Sequence, residues 1–219
     1  MHPQTHHRTR IKICGITNHE DAQAVVDNGA DALGFIFAKD SPRSIDPQEA
    51  ATIMFNLPPM ISAIGVTQDL TLDEFCDLEQ TCPCHTFQLH GKEPIDLVQQ
   101  CGPGVIKAFK YEEVTIKSQL DRWAKVIEID ALLIDGSDGG QGQSFDWSKL
   151  ASILNSYQEG YPKKIIIAGG LDATNVTEVI QTLHPYAVDI SSGVESEPGI
   201  KDHKKIAQLC AAVHTANSN

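Results

Sequence analysis

The feature that most constrains this chain is an alternation of two periodicities, repeated eight times. Short runs rich in β-branched residues alternate with longer segments of helical spacing. The runs are Arg10–Ile16, Asp31–Phe37, Ile61–Val66, Thr86–His90, Val105–Phe109, Ala131–Asp135, Lys164–Ala168 and Ala187–Ser191. Their starts lie about 25 residues apart, the size of one strand–helix unit. Ile165-Ile166-Ile167-Ala168 is apolar on both faces, as a parallel strand covered on both sides must be.

The intervening segments carry helix punctuation. Asp46-Pro47-Gln48-Glu49 offers an N-cap acid, a proline at the first helical position and a glutamate at the third. Thr71-Leu72-Asp73-Glu74 repeats the box. Asn18 can cap a first helix that buries Val25 and Val26 and closes at Gly29. In the last helix Ile206, Leu209, Cys210 and Val213 form an i, i+3, i+4, i+7 stripe. Eight such units without a Pro/Gly-rich linker fit one closed (β/α)8 TIM barrel over residues 10–214. Residues 1–9 and 215–219 are expected to be flexible extensions. An open doubly wound sheet is the rival fold, but the first strand ends Cys14-Gly15-Ile16-Thr17, without a glycine-rich fingerprint.

Charge narrows the partners. Lys and Arg number 17 against 29 Asp and Glu, a formal net charge of −12. Such a chain repels nucleic acid and anionic membrane, so neither is expected as a partner. An anionic small molecule would have to be held by local donors. No apolar run approaches the roughly 20 residues that span a bilayer. Met1 to Arg10 is polar and His-rich and lacks the apolar stretch of a secretion signal, so a cytoplasmic location is expected. The six cysteines are then expected to be reduced thiols. Cys82-Pro83-Cys84-His85 is a fragment of a metal-site spacing with no second pair, and is taken as structural thiols; no metal is expected.

A barrel builds its active site where strands end and helices begin. At those ends stand Cys14, Gln88 and His90, Asp135, and Asp189, with Arg43 in the loop after the second strand. Gln88 and His90 share parity and point the same way. Gly169-Gly170 after the seventh strand and Ser192-Gly193 after the eighth can present main-chain amides to a phosphate; the bland alternative is that they are only tight turns. Cys14 and Asp135 suit a base and an acid. Lys12, two residues back on the same strand face, could lower the thiol pKa. Each has a plain alternative: Cys14 an inert buried thiol, Asp135 a helix cap, Arg43 a solvated surface charge, His90 a partner for a backbone carbonyl.

Seven segments, in order from residue 10 to about 202, resemble the phosphoribosylanthranilate isomerase family. They are Lys12–Thr17, Gly29–Phe37, Ser41-Pro42-Arg43, Gln88-Leu89-His90-Gly91, Gly139-Gly140 through Phe145-Asp146-Trp147, Ala168–Leu171, and Asp189–Glu195 with Pro198–Asp202. The resemblance implies a cofactor-free Amadori rearrangement of an N-(5-phosphoribosyl)anthranilate aminoaldose to the aminoketose. It places the general base on Cys14 and the general acid on Asp135. It sets Arg43 against the anthranilate carboxylate, Gly170, Ser192 and Gly193 in the phosphate loops, and Gln88, His90 and Asp189 on the pocket wall. A monomer is expected, a homodimer being the alternative. The chain departs from the family pattern at Gln141, Gln68 and Gly136. A histidine-pathway sugar isomerase runs the same rearrangement, but with an Asp where Cys14 stands. A non-catalytic binding barrel is the other rival.

Overall fold

A computed structural model describes residues 8–137 and 145–218. Strand β1 (Arg10–Cys14) leads into α1 (His19–Asp27), β2 (Ala32–Ile36) into α2 (Pro47–Phe55), and β3 (Ser62–Thr67) into α3 (Leu72–Thr81). Then follow β4 (Thr86–Leu89), α4 (Ile95–Cys101), β5 (Val105–Lys110), α5 (Ile116–Trp123), β6 (Ile129–Asp135), α6 (Trp147–Asn155), β7 (Lys164–Ala168), α7 (Val176–Leu183) and β8 (Ala187–Ile190). A single 3-10 turn (Ser192–Val194) and a small hairpin, β9 (Glu195–Glu197) with β10 (Ile200–Lys201), precede the last helix, α8 (His203–Asn217). The eight long strands are parallel and close in sequence order, β8 returning to β1 through Arg10↔Ala187 and Lys12↔Asp189. This is the (β/α)8 barrel expected from the alternation.

The caps fall where their side chains dictate. Asn18 accepts from the Asp21 amide, Asp46 from those of Gln48 and Glu49, and Thr71 with Glu74 completes a capping box. Strand β1 stops at Cys14 rather than Ile16. Gly15 turns the chain at φ +82, and the amides of Gly15 and Ile16 both donate to Gly34 O.

Strand parity sorts side chains into two layers. Ile11, Ile13, Leu33, Phe35, Ile165, Ile167 and their kind point outward and pack under the helices. A smaller inner cluster, including Ala32, Ile64, Ala108, Leu133 and Ile166, fills the barrel. The α8 stripe of Ile206, Leu209, Cys210 and Val213 is buried as expected, each large apolar side chain contributing about 1.5–3 kcal/mol. The two ends of the chain meet. Asn217 exchanges two hydrogen bonds with the Thr9 backbone, and the Thr9 hydroxyl donates to Pro185 O. That clasp ties the end of α8 to the residue before β1.

Candidate active site

Inward parity brings polar residues to the C-terminal ends of strands whose lower parts are apolar. There they line a cavity of about 230 Å³. Cys14 comes from β1, Gln88 from β4, Asp135 from β6 and Asp189 from β8, with His90, Arg43, Gly169, Gly170 and Ser192 from the loops above. Every sequence-selected site residue except Gly193 therefore faces one cavity.

A chain of hydrogen bonds crosses its floor. The Lys12 ammonium donates to Asp189 Oδ2 at 2.8 Å and to Gln88 Oε1 at 3.0 Å. With its oxygen so held, Gln88 turns its amide nitrogen to His90 Nδ1 at 2.9 Å. Nδ1 must then accept, which leaves the imidazole proton on Nε2. Nε2 faces Asp135 Oδ2 at 3.4 Å. The other Asp135 oxygen accepts from the Ser137 amide at 2.8 Å. Lys12 on β1 thus sets the His90 tautomer on β4, which faces the carboxyl group on β6. Asp189 Oδ1 and Ser191 Oγ are buried and have no hydrogen-bond partner among the described residues.

Arg43 does not take its plain alternative. It is not an open surface charge but is held by Glu195, its Nε and Nη2 donating to the two carboxylate oxygens at 2.8 and 2.7 Å. Its stem lies over Gly15, where a Cβ would meet Arg43 Cδ at 2.8 Å. Glu195 also accepts from Lys201 at 2.7 Å, and Lys201 donates on to Cys14 O and Ser191 O. One carboxylate therefore joins the loops after β1, β2 and β8. Nη1 of Arg43 makes no hydrogen bond to the described residues.

The glycine loops are set by close approach. A Cβ on Gly169 (φ +89) would lie 2.5 Å from Asp135 Oδ1, and one on Gly193 would lie 1.9 Å from Leu171 O. Gly193 thus seats the β8 loop against the β7 loop rather than lining the cavity. The amides of Gly170, Ser192 and Gly193 make no hydrogen bond to the described residues.

Burial and charge compete at both titratable centres. Burial pushes the Cys14 thiol up, and Asp189 adds to it. The nearby Lys12 and Lys201 pull it down without overcoming burial. The expected lowering by Lys12 is present but is outweighed. At Asp135 burial also acts upward, but the contact with His90 and the Ser137 amide hold the carboxyl below its ordinary range. The free protein thus carries a thiol and a carboxylate.

One of the departures has a clear structural reason. Gly136 makes room for the Phe145 ring, which a Cβ would meet at 2.3 Å and which stacks on Tyr111. Gln141 and Gly139-Gly140 lie outside the described residues. Sequence reading did not pick out Glu195, Lys201, Ser137 or Ser191 as site residues. Glu195 and Lys201 stand in the last quoted segment, but nothing local says that they meet Arg43 and Cys14.

A closed (β/α)8 barrel with its titratable groups gathered at the C-terminal mouth is a barrel enzyme. The family model for N-(5'-phosphoribosyl)anthranilate (PRA) isomerase matches residues 11–212. The N-(5'-phosphoribosyl)anthranilate isomerase of Magnetococcus marinus is 40% identical over 211 residues, 94% of this chain and 96% of that one. A phosphoribosyl anthranilate isomerase structure in complex with reduced 1-(o-carboxyphenylamino)-1-deoxyribulose 5-phosphate is 34% identical, with a TM-score of 0.82 over 94% of this chain and 99% of that one. Monomers made from the dimeric enzyme of Thermotoga maritima are 33% identical, with a TM-score of 0.81 over the same shares. The chain belongs to the phosphoribosylanthranilate isomerase family, the isomerases of tryptophan biosynthesis.

Proposed function

We propose that the chain converts N-(5-phosphoribosyl)anthranilate to 1-(2-carboxyphenylamino)-1-deoxyribulose 5-phosphate with Asp135 as general acid and Cys14 as general base. Asp135 gives its proton to the furanose ring oxygen; the C1'–O bond breaks and a Schiff base forms. Cys14 then takes the C2' proton, leaving an enolamine that tautomerises to the ketone. The observation that carries this reading is that the thiol and the carboxyl group line one cavity, the carboxyl group facing a polar chain that runs through His90 and Gln88 to Lys12 on the strand that carries the thiol. The thiol and carboxylate of the free protein are the forms that these two transfers leave behind. Each turnover therefore starts with Asp135 gaining a proton and Cys14 losing one.

The free amides of Gly170, Ser192 and Gly193 suit the phosphate, since main-chain donors serve an anion in a chain of negative charge. Nη1 of Arg43 suits the anthranilate carboxylate. Asp189 Oδ1, buried and unpartnered, suits a sugar hydroxyl. No metal or organic cofactor enters this scheme. The chain is proposed to act as a monomer, and sedimentation of the full chain tests that against the dimeric Thermotoga relative.

Cys14→Ala and Asp135→Asn are the direct tests. Each should lower kcat by at least roughly a hundredfold while a product analogue still binds. Near-normal turnover in either variant means that the roles lie elsewhere. Turnover of only the histidine-pathway aminoaldose would overturn the substrate.

A further inference from the structure

Three sulfur atoms meet at the other end of the barrel, where the isomerase chemistry has no use for them. Cys82 caps the C-terminus of α3, and Cys84 stands two residues before β4. The Cys84 amide donates to Cys82 O at 2.8 Å, an i to i+2 bond that makes a γ-turn centred on Pro83. Proline fixes φ near the value an inverse γ-turn needs, so this turn is preset. It brings the two Sγ atoms to 3.9 Å. Met54, in the last turns of α2, supplies the third corner, its Sδ lying 3.4 Å from Cys82 Sγ and 3.8 Å from Cys84 Sγ. Both cysteines are free thiols; Cys82 is buried, while Cys84 and Met54 are half-buried and open a way in from solvent.

We propose that Cys82, Cys84 and Met54 form a binding site for a soft monovalent metal ion, Cu(I). A triangle with edges of 3.4, 3.8 and 3.9 Å has its centre about 2.1 Å from each corner, close to the roughly 2.3 Å of a metal–thiolate bond. A metal at that point is trigonal, and the sulfurs need to move only a few tenths of an ångström to hold it. Two thiolates and a thioether are soft donors, the set that selects Cu(I). Zinc is poorly served, because it takes four N, S or O ligands. No group of three His, Cys, Asp or Glu side chains gathers here among the described residues. His85, next along the chain, uses Nδ1 to accept the Ala63 amide at 3.0 Å. Binding replaces the thiol protons, which leave to solvent. The bound ion ties the end of α2 to the joint between α3 and β4, at the stability face of the barrel rather than the catalytic one.

Anaerobic titration of the full chain with Cu(I), against a colorimetric Cu(I) chelator, tests the site. One equivalent should bind beyond what the Cys82→Ser, Cys84→Ser double variant takes up, and X-ray absorption should report three sulfurs at about 2.3 Å. Met54→Leu keeps the volume and the fold. It should weaken binding by at least the roughly tenfold that even an outer partner costs a metal site, drop the sulfur number to two, and leave metal-free isomerase turnover unchanged. Unaltered affinity and sulfur number in Met54→Leu overturn the proposal. So does a folded double-serine variant that binds as much Cu(I) as the parent, or a reduced parent that takes up no Cu(I). If the double variant does not fold, Met54→Leu decides alone.

Discussion

Gly34→Ala tests the placement of the thiol without touching it. Gly34 lies opposite Cys14 in the β1–β2 register. A Cβ there would lie 2.7 Å from Cys14 Sγ, 3.2 Å from its Cβ and 3.1 Å from its Cα. Gly34 is not among the positive-φ glycines, so alanine adds no backbone strain and the perturbation is purely steric. Ordinary contact begins near 3.4 Å, so the sulfur must retreat by about 0.7 Å. Such overpacking costs about 1–3 kcal/mol of stability, which urea unfolding will read. A displacement approaching 1 Å at a reacting group should lower kcat roughly tenfold to a hundredfold, about 1.4–2.7 kcal/mol of barrier, with KM little changed. Steady-state kinetics on the phosphoribosylanthranilate substrate, at a urea-free temperature where the variant is folded, give the answer. A folded Gly34→Ala enzyme with kcat within twofold of the parent would refute the idea that the Cys14 sulfur must sit where it does.

Three other expectations follow from the buried charges. Because burial holds the Cys14 thiol above its ordinary 9.0, its alkylation by iodoacetamide in the free protein should still be accelerating at pH 9; levelling below pH 8.5 would mean that Lys12 and Lys201 outweigh burial. The same shift makes the folded state hold this proton more tightly than the unfolded chain, so Cys14 contributes a loss of stability as pH rises past 9 that Cys14→Ser lacks. Glu195→Gln should raise KM more than it lowers kcat by loosening Arg43, and should cost about 3–5 kcal/mol by leaving Lys201 buried without a counter-charge. Against burial, Arg43 and Lys201 hold the Glu195 carboxyl below 4.5; its contribution is therefore present above that pH and lost below it, and acid titration of the glutamine variant should lack this step. Lys12→Met leaves the Asp189 carboxylate unpaired at 7% side-chain exposure, so a melting temperature equal to the parent's would argue against a charged pair there.

The fold was legible because its determinants are local. Eight β-branched runs, the boxes at Asp46 and Thr71 and the α8 stripe are each written within a few residues, and a closed parallel sheet is the arrangement that covers all eight runs. Strand ends were less so. The run Arg10–Ile16 has an isoleucine after Gly15, and it is the turn at Gly15, with its own amide and that of Ile16 both donating to Gly34 O, that ends the strand at Cys14. The cavity residues could be selected by position, since inward parity at a strand's last residue is a local property. What they do to one another could not. That burial would outweigh Lys12 at Cys14 depends on how completely β2, β8 and the loops enclose one sulfur atom, which no spacing records.

The buried ion pairs explain why. Lys12 meets Asp189 across 177 residues of chain and Arg43 meets Glu195 across 152, while Lys201, itself paired with Glu195, donates to the Cys14 carbonyl across 187. Lys201 with Glu195, and Lys107 with Glu93, which gathers Leu89 O, Gly91 O and the amides of Gly91 and Asp69 beneath the His90 loop, are the nearly local ones among the described residues. Pairs of this kind recover little net stability, because removing two charges from water costs nearly what their attraction returns. Their effect is on position. Each fixes a loop from one part of the chain against a loop from another, at the one end of the barrel where hydrophobic layers no longer do so. A barrel mouth packed with apolar residues would be as stable, but it would hold neither the His90 tautomer nor the Arg43 fork. The same side chains that make the site hard to read from sequence are therefore the ones that make its geometry definite.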